Sequence, residues 1–102
     1  MTSLSTNEFL SARVRMPQHV VHRSFVAETV VLNLNTGQYH GLNPTAGRML
    51  EAIDAAPSAG AAVPELAQEY GIEEEQIQGD LIALCQGLLE RGLIEIVDAD
   101  PA

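Results

Sequence analysis

The chain of 102 residues contains no lysine, only one cysteine and no long apolar run. Cys85 has no second cysteine with which to form an intrachain disulfide, which favours a reducing compartment. No apolar stretch approaches the ~18 residues that a membrane span needs, and no basic segment followed by an apolar one marks a signal peptide. We therefore expect a cytoplasmic protein with no membrane partner, large enough to fold as one domain.

The charges are distributed unevenly along the chain. Residues 1–50 hold four arginines and two glutamates, a net charge of +2, whereas residues 51–102 hold one arginine and twelve carboxylates, a net charge of −11. Nucleic-acid binding draws its affinity from neutralised phosphates, so an acidic second half disfavours a nucleic-acid partner. It suits a basic or mixed-charge peptide or protein better.

The residue types of known catalytic and metal sites are sparse. Cys85 falls among apolar residues, where a free cysteine behaves as a small hydrophobe rather than a nucleophile. His19 and His22 lie three apart in an apparent strand and so point to opposite faces, and no second cysteine assists them or His40. Neither a glycine-rich phosphate loop nor a paired-carboxylate site is apparent. We expect no enzymatic activity, no cofactor and no metal.

Three β-branched or alternating stretches predict strands in the first half of the chain. The stretches 19–25 and 29–34 are separated by a short segment that contains Ala27 and Glu28, and the short stretch 38–42, QYHGL, follows the turn NTG. Gly37 at the end of that turn suits a positive φ. The spacing predicts a three-stranded antiparallel meander.

A helix is predicted to begin directly after the third strand. Asn43 can cap a helix N-terminus. Pro44 at the first helical position breaks no hydrogen bond of the helix, because an N–H there would have no partner within the helix. The helix is expected over 44–54. The small residues 55–62, AAPSAGAA, are expected to form a linker.

Two further helices are predicted in the second half. Pro64 opens a short one, for which Gly71 suits the C-terminal cap. The last helix, over about 73–91, begins with three glutamates, which are favourable at the positive end of the helix dipole. Residues 93–97 fit either a closing strand or an extended tail.

The order of these elements predicts an α+β fold. Three strands of one antiparallel sheet precede three α-helices, which is the outline of a winged helix-turn-helix. We expect a flexible N-terminal arm over 1–17, a folded domain over 18–97 and a tail over 98–102.

The last helix has a wide apolar face, made of Ile77, Leu81, Ile82, Leu84, Cys85, Leu88 and Leu89. At about 100° per residue these side chains cover an arc of about 160°, wider than one packing surface requires. Either the domain wraps the helix on two sides, or one flank lines a groove open to a ligand. Asp80 borders one flank of the arc, and Ile82 with Leu89 borders the other.

Two sequence stretches together resemble the PqqD-like family. GQYHGLNPTAGRMLEAID, from Gly37, has the family's turn and strand ending in Leu-Asn and running into a helix. IQGDLIALCQGLLERGLI, from Ile77, has the apolar spacing of the family's last helix and the Gly-Leu that follows. The resemblance covers about residues 20–95.

The resemblance implies a recognition element for ribosomally made, post-translationally modified peptides. Such proteins are non-catalytic: they bind the leader segment of a precursor peptide and present its core to modifying enzymes. Stand-alone members of this size are similar to the recognition protein of lasso-peptide pathways, which serves a leader peptidase and a cyclase.

The family's binding mode implies which residues meet the peptide. The leader adds as an extra antiparallel strand to the free edge of the third strand and lies beside the last helix. Leu42 is expected to point inward, so that His40 and Gln38 share its face. Asp80 would either bind a Lys, an Arg or a backbone amide of the leader, or have only a local role in solvation or helix capping. The predicted peptide-binding residues are Gln38, Tyr39, His40, Gly41, Leu42, Ile77, Asp80, Leu81 and Leu84.

Two other functions fit the same outline. A winged-helix transcription regulator would use the last helix to read DNA, although that helix carries five carboxylates against Arg91. A small structural subunit of a larger enzyme would co-purify with that enzyme and show no affinity for a leader peptide.

Overall fold

The computed structural model describes residues 6–97. Within this range, four helices and five strands form two sheets and a helical layer, and the strand order of the larger sheet is β2-β3-β4. The elements are α1 (Thr6–Ser11), β1 (Arg13–Arg15), β2 (Val20–Ser24), β3 (Thr29–Asn33), β4 (Tyr39–Leu42), α2 (Pro44–Ala55), α3 (Ala59–Tyr70), α4 (Glu74–Glu90) and β5 (Glu95–Val97). The predicted α+β fold, a three-stranded antiparallel sheet followed by three helices, is confirmed, and it is compatible with a winged-helix arrangement.

The larger sheet presents one face to the core. Val31 on the central strand pairs with His22 of β2 and His40 of β4, and it is fully buried. Because side chains alternate along a strand, every second residue of each strand faces the helices and the others face outward. In the turn that joins β3 to β4, Gly37 has the predicted positive φ, 77°.

Helix α2 starts as the sequence predicts and lies very close to the sheet. Asn43 Oδ1 accepts a hydrogen bond from the N–H of Ala46 at 2.8 Å, and Pro44 occupies the first helical position. A Cβ added at Gly47 would clash with the side chain of Thr29 on β3. The missing side chain at Gly47 thus allows the close contact between helix and sheet.

Helix α3 is longer than predicted and shortens the expected linker. It begins at Ala59, capped by Ser58, whose Oγ accepts from the N–H of Ala61 at 3.3 Å. Pro64 lies inside the helix, not at its start. Ala59 and the next alanines on its inner side are buried, so burial of small side chains extends the helix over residues predicted to be a linker. Gly71 ends it with a φ of 65°, as predicted.

The N-terminal segment differs from the flexible arm expected over 1–17. Residues 6–15 form α1 and β1, in which Phe9 is 6% exposed and Val14 is fully buried. Strand β1 pairs antiparallel with β5, Val14 opposite Ile96. Burial of the Phe9 and Val14 side chains holds the N-terminal segment against the domain. Residues 1–5 and the expected tail at 98–102 lie outside the described part of the chain.

The C-terminal stretch resolves the choice that the sequence left open. Glu95–Val97 is a strand, β5, rather than an extended tail. Among residues 6–97, no helix has the length and apolar character that would let it span a bilayer.

Candidate functional site

Strand β4 forms one edge of the larger sheet. It pairs with β3, and the described residues place no further strand beside it. Strand β4 also packs on α2, and α4 packs on α3. The outer backbone of Tyr39–Leu42, here called the β4 edge, is therefore open to a partner strand.

The hydrogen-bond ladder determines which backbone groups of β4 are free. The N–H of Asn33 donates to the carbonyl oxygen of Gln38 at 2.9 Å, and the register pairs Val31 with His40. Bonded and non-bonded pairs alternate along an antiparallel ladder, so the backbone of His40 faces β3. The N–H and C=O groups of Tyr39 and Gly41 consequently point away from the sheet.

The side chains of β4 follow the alternation predicted from the sequence. Leu42 is 7% exposed and faces the core, whereas Tyr39 is 73% exposed on the opposite face. His40 is half-buried on the side of Leu42. Gly41 has no side chain to obstruct an added strand, and a Cβ built there would meet only the end of the exposed Glu28 side chain at 2.7 Å.

Gln38 lies just before β4, and its backbone N–H and C=O groups already form hydrogen bonds within the chain. Its N–H donates to Thr36 Oγ1 at 3.2 Å, and its carbonyl oxygen accepts the bond from Asn33. Its side chain is exposed. Gln38 can contact a partner through its side chain, while its backbone closes the turn.

The predicted pocket on α4 differs from the observed packing. Ile77 and Leu81 are 1% and 0% exposed, so both are core residues and neither offers an open pocket wall. Leu84 is half-buried and Asp80 is exposed. Four residues of the apolar arc, Ile77, Leu81, Cys85 and Leu88, are buried in the core, and Leu84 is the predicted apolar residue of α4 that keeps partly accessible surface.

The sheet has a second open edge, on β2, which the sequence reasoning did not consider. The N–H of Phe25 donates to the carbonyl oxygen of Glu28 at 2.7 Å, so by alternation His22 and Ser24 direct their backbone groups outward. Ser24 Oγ donates to Glu51 Oε2 at 2.8 Å. The predicted meander already implied this second edge, because any three-stranded sheet has two edge strands.

Among the titratable groups of residues 6–97, burial and ion pairs act most clearly on Cys85 and Arg48. Burial raises the pKa of the Cys85 thiol from 9.0 to about 12, which leaves it protonated and unreactive near neutral pH. Within residues 6–97, His, Cys, Asp and Glu side chains nowhere cluster as a metal site requires. Arg48, on α2, pairs with Glu69 on α3 at 2.9 Å, a contact that joins two helices.

Comparison with known proteins identifies related sequences and structures. Residues 28–94 match the family described as coenzyme PQQ synthesis protein D, PqqD. The search of curated proteins finds no match. The solved structure described as TbiB1 in complex with the TbiA(beta) leader peptide has a TM-score of 0.70 and 26% identity, covering 84% of this chain and 99% of that one.

A second solved structure has a similar fold. It is described as lasso peptide synthetase B1 complexed with the leader peptide, and its TM-score is 0.70 at 24% identity. The alignment covers 82% of this chain and 99% of that chain. The likeness spans nearly the whole of both solved proteins, so it concerns a complete domain rather than a shared motif.

Proposed function

The chain belongs to the PqqD family, and from that premise we propose that it binds the leader segment of a ribosomally synthesised precursor peptide. The observation that carries the proposal is the open β4 edge, on a fold similar to that of TbiB1, a protein described in complex with a leader peptide. The role is one of binding and presentation, without catalysis.

The proposed binding mode is strand addition to the β4 edge. The outward N–H and C=O groups of Tyr39 and Gly41 would pair with alternate residues of the leader and supply sequence-independent affinity. Exposed edge strands invite unwanted pairing and are usually protected, so an unprotected one fits a function that uses it. Leu84, half-buried on α4, and the half-buried His40 are proposed to contact the leader's side chains.

The remaining predicted residues have narrower parts in this proposal. Asp80 is exposed and is proposed to receive a leader amide or cation at the rim of the site. Ile77 and Leu81 support α4 from the core and hold Leu84 in place. Gln38 and Leu42 flank the two pairing residues.

The enzymes proposed to receive the bound precursor are a leader peptidase and a cyclase, as in a lasso-peptide pathway. Precursors of this kind are made by cytoplasmic ribosomes, so the proposal places the protein in the cytoplasm. The acidic second half, net −11 over residues 51–102, suits basic groups on the leader or on an enzyme.

The proposal is tested by sequencing the neighbouring reading frames, synthesising the leader of a short precursor found there, and titrating the isotope-labelled protein with that leader while amide NMR spectra are recorded. We expect nanomolar to micromolar affinity, with the amides of Tyr39 and Gly41 shifted and newly protected from exchange. His22 and Ser24, on the β2 edge, serve as internal controls and should not change. A leader whose hydrophobic anchors are replaced by alanine should not bind.

Two results would contradict the proposal. Shifts confined to His22 and Ser24 would move the binding site to the β2 edge. A tight, sequence-dependent gel shift with duplex DNA, without leader binding, would favour a transcription regulator, although the exposed carboxylates Glu73, Glu74 and Glu75 at the start of α4 oppose a phosphate backbone.

A further inference from the structure

The carboxylate of Glu28 lies directly beside the β4 edge. Glu28 precedes β3, and its side chain reaches across to β4, where its Oε1 atom lies 2.7 Å from the position of a Cβ added at Gly41. The missing side chain at Gly41 therefore leaves the space that the carboxylate occupies. Within residues 6–97, the Glu28 carboxylate has no hydrogen-bond donor and no ion-pair partner.

This carboxylate lies on the sheet face that turns away from the helices. Tyr39 and Gly41 both face that way, because they alternate along β4 with His40 and the buried Leu42. The same two residues carry the outward backbone groups of the β4 edge. A strand added to the edge would therefore meet the Glu28 carboxylate with its outward side chains.

Tyr39 ends an apolar cross-strand row on the same face. The register places Val21, Leu32 and Tyr39 opposite one another on the three strands. Val21 is 44% exposed and Tyr39 is 73% exposed, so the row is open to solvent at the β4 edge. Apolar and aromatic residues in neighbouring cross-strand positions stabilise a sheet. An added strand with an apolar residue opposite Tyr39 would extend the row.

Arg23 is a second charged residue of this face. It lies on β2, in the row with Val30 and Gly41, and it forms no ion pair with Glu28 or with any other described residue. Two strand spacings, roughly 10 Å, separate β2 from β4. A strand added to β4 lies one spacing further from Arg23, so the Glu28 carboxylate is the charge nearest to it.

Antiparallel pairing determines which leader residues reach this face. Residues directly opposite each other have side chains on the same face, with Cβ atoms about 4.5–5.5 Å apart. The leader residue opposite Gly41 would therefore lie beside the Glu28 carboxylate, and the one opposite Tyr39 would lie beside its ring. Because the two strands run in opposite directions, the second of these leader residues follows the first by two positions.

We propose that the leader carries a lysine or arginine opposite Gly41, paired with Glu28, and an apolar residue two positions later, packed against Tyr39. The inference rests on the proposed leader-binding function and adds to it a reading of the leader's outward side chains. An added strand would cover part of the Glu28 carboxylate, and covering an unpaired charge is costly. A leader cation offsets this cost through a charge-assisted hydrogen bond.

The test first locates the two leader residues. The full chain is bound to the synthetic leader of the neighbouring short precursor, and amide-to-amide nuclear Overhauser effects from Tyr39 and Gly41 identify the residues opposite them. The protein variants are Glu28→Gln, Glu28→Lys and Tyr39→Ser. Glu90→Gln is the matched control, because Glu90 is an exposed carboxylate at the end of α4, on the helix side opposite the apolar arc. Fluorescence anisotropy measures each affinity.

We expect Glu28→Gln to lower leader affinity by roughly threefold to tenfold and Glu90→Gln to leave it within twofold. Once the leader's basic residue is replaced by glutamine, Glu28→Gln should have no further effect. With glutamate in that leader position, the Glu28→Lys variant should bind more tightly than the wild type. Tyr39→Ser should weaken binding of the unaltered leader and have a smaller effect once the apolar leader residue is replaced by serine.

Two outcomes would overturn the inference while leaving leader binding intact. A neutral or acidic leader residue opposite Gly41, or a polar one opposite Tyr39, would contradict the proposed pattern. Equal affinities of the Glu28→Gln and Glu90→Gln variants would show that the Glu28 carboxylate has no part in recognition. Absence of leader binding by the wild type would instead overturn the proposed function, and this inference with it.

Discussion

The N–H of Asn33 donates to the carbonyl oxygen of Gln38 at 2.9 Å, and this bond sets the phase of the whole β3–β4 ladder. Every second residue from Gln38 onward has its backbone groups directed at β3. Tyr39 and Gly41 are left with outward N–H and C=O groups. A peptide that extends the sheet at the β4 edge must pair with these two residues, which makes single-residue tests possible.

Replacing Gly41 by proline removes one outward donor without removing a ladder bond to β3. Loss of a hydrogen bond to a buried partner costs about 1–3 kcal/mol, so we expect leader affinity to fall by roughly tenfold to a hundredfold. Proline is tolerated on edge strands, and the variant should remain folded. Calorimetric titration with the leader measures the change.

Gly41→Ala is the matched control for this variant. It adds a Cβ at the same place, where the flexible end of Glu28 can move aside, and it keeps the N–H. Nearly unchanged affinity is expected for alanine. If the proline variant is folded and binds as tightly as the alanine variant, strand addition at the β4 edge is wrong.

Two glycine-to-alanine changes in helices should have opposite effects on stability. At Gly47 an added Cβ would collide with Thr29 on β3, and overpacking of this kind costs about 1–3 kcal/mol. At Gly79, in α4, an added Cβ meets no atom within 4 Å, and alanine should stabilise the helix by about 0.5–1 kcal/mol.

Urea denaturation of the two variants and the wild type measures these free energies of unfolding. Equal and small effects at both positions would mean that α2 does not approach β3 as closely as described.

The N-terminal segment should contribute to global stability through Val14. Val14 on β1 is fully buried, and its replacement by alanine should lower the free energy of unfolding by about 2 kcal/mol. The neighbouring Arg15 forms an exposed salt bridge with Glu95 at 2.8 Å, and Arg15→Ala should cost less than about 1 kcal/mol. Thermal or urea unfolding compares the pair.

A Val14→Ala variant as stable as the wild type would restore the flexible arm that the sequence suggested. In that case β1 and β5 would not pair stably in solution.

The thiol of Cys85 should be unreactive in the folded protein. Burial raises the pKa of Cys85 from 9.0 to about 12, so the neutral thiol dominates at pH 8 and thiolate chemistry is suppressed. A chromogenic disulfide reagent should label the thiol in urea and react orders of magnitude more slowly without it. Rapid labelling of the native protein would contradict the burial of this side chain.

The raised pKa of Cys85 also predicts that the free energy of unfolding depends on pH. The unfolded thiol loses its proton near pH 9, whereas the folded one keeps it until about pH 12. The unfolded state therefore binds fewer protons in this window, and the free energy of unfolding falls as pH rises from about 9 toward 12. The Cys85→Ala variant should have a shallower dependence, which urea titrations at several pH values would reveal.

Much of the candidate site could be predicted from local sequence. The alternation of QYHGL placed Leu42 inward with His40 and Gln38 on its face, and the turn before it suited the positive φ found at Gly37. Asn43 and Pro44 marked the helix start correctly. These signals act between residues within four positions of one another, where backbone geometry and capping bonds leave few alternatives.

The α4 side of the site could not be predicted in the same way. The helical pattern gave Ile77, Leu81 and Leu84 as one apolar face, and only packing against the rest of the domain separates the buried pair from the partly accessible Leu84. A helical pattern reports which residues are apolar. Which of them are covered depends on contacts from distant parts of the chain.

The sequence by itself determined the order of the three sheet strands and the three helices that follow, the N-terminal cap of α2, the glycine turns at Gly37 and Gly71, and the family, because each depends on local residue types and spacing. Tertiary structure alone decided that residues 6–15 join the domain, that Val14 lies opposite Ile96 more than eighty positions away in the chain, and that one sheet face stays uncovered. Those features depend on burial between segments far apart in sequence, and no local pattern specifies which surfaces meet.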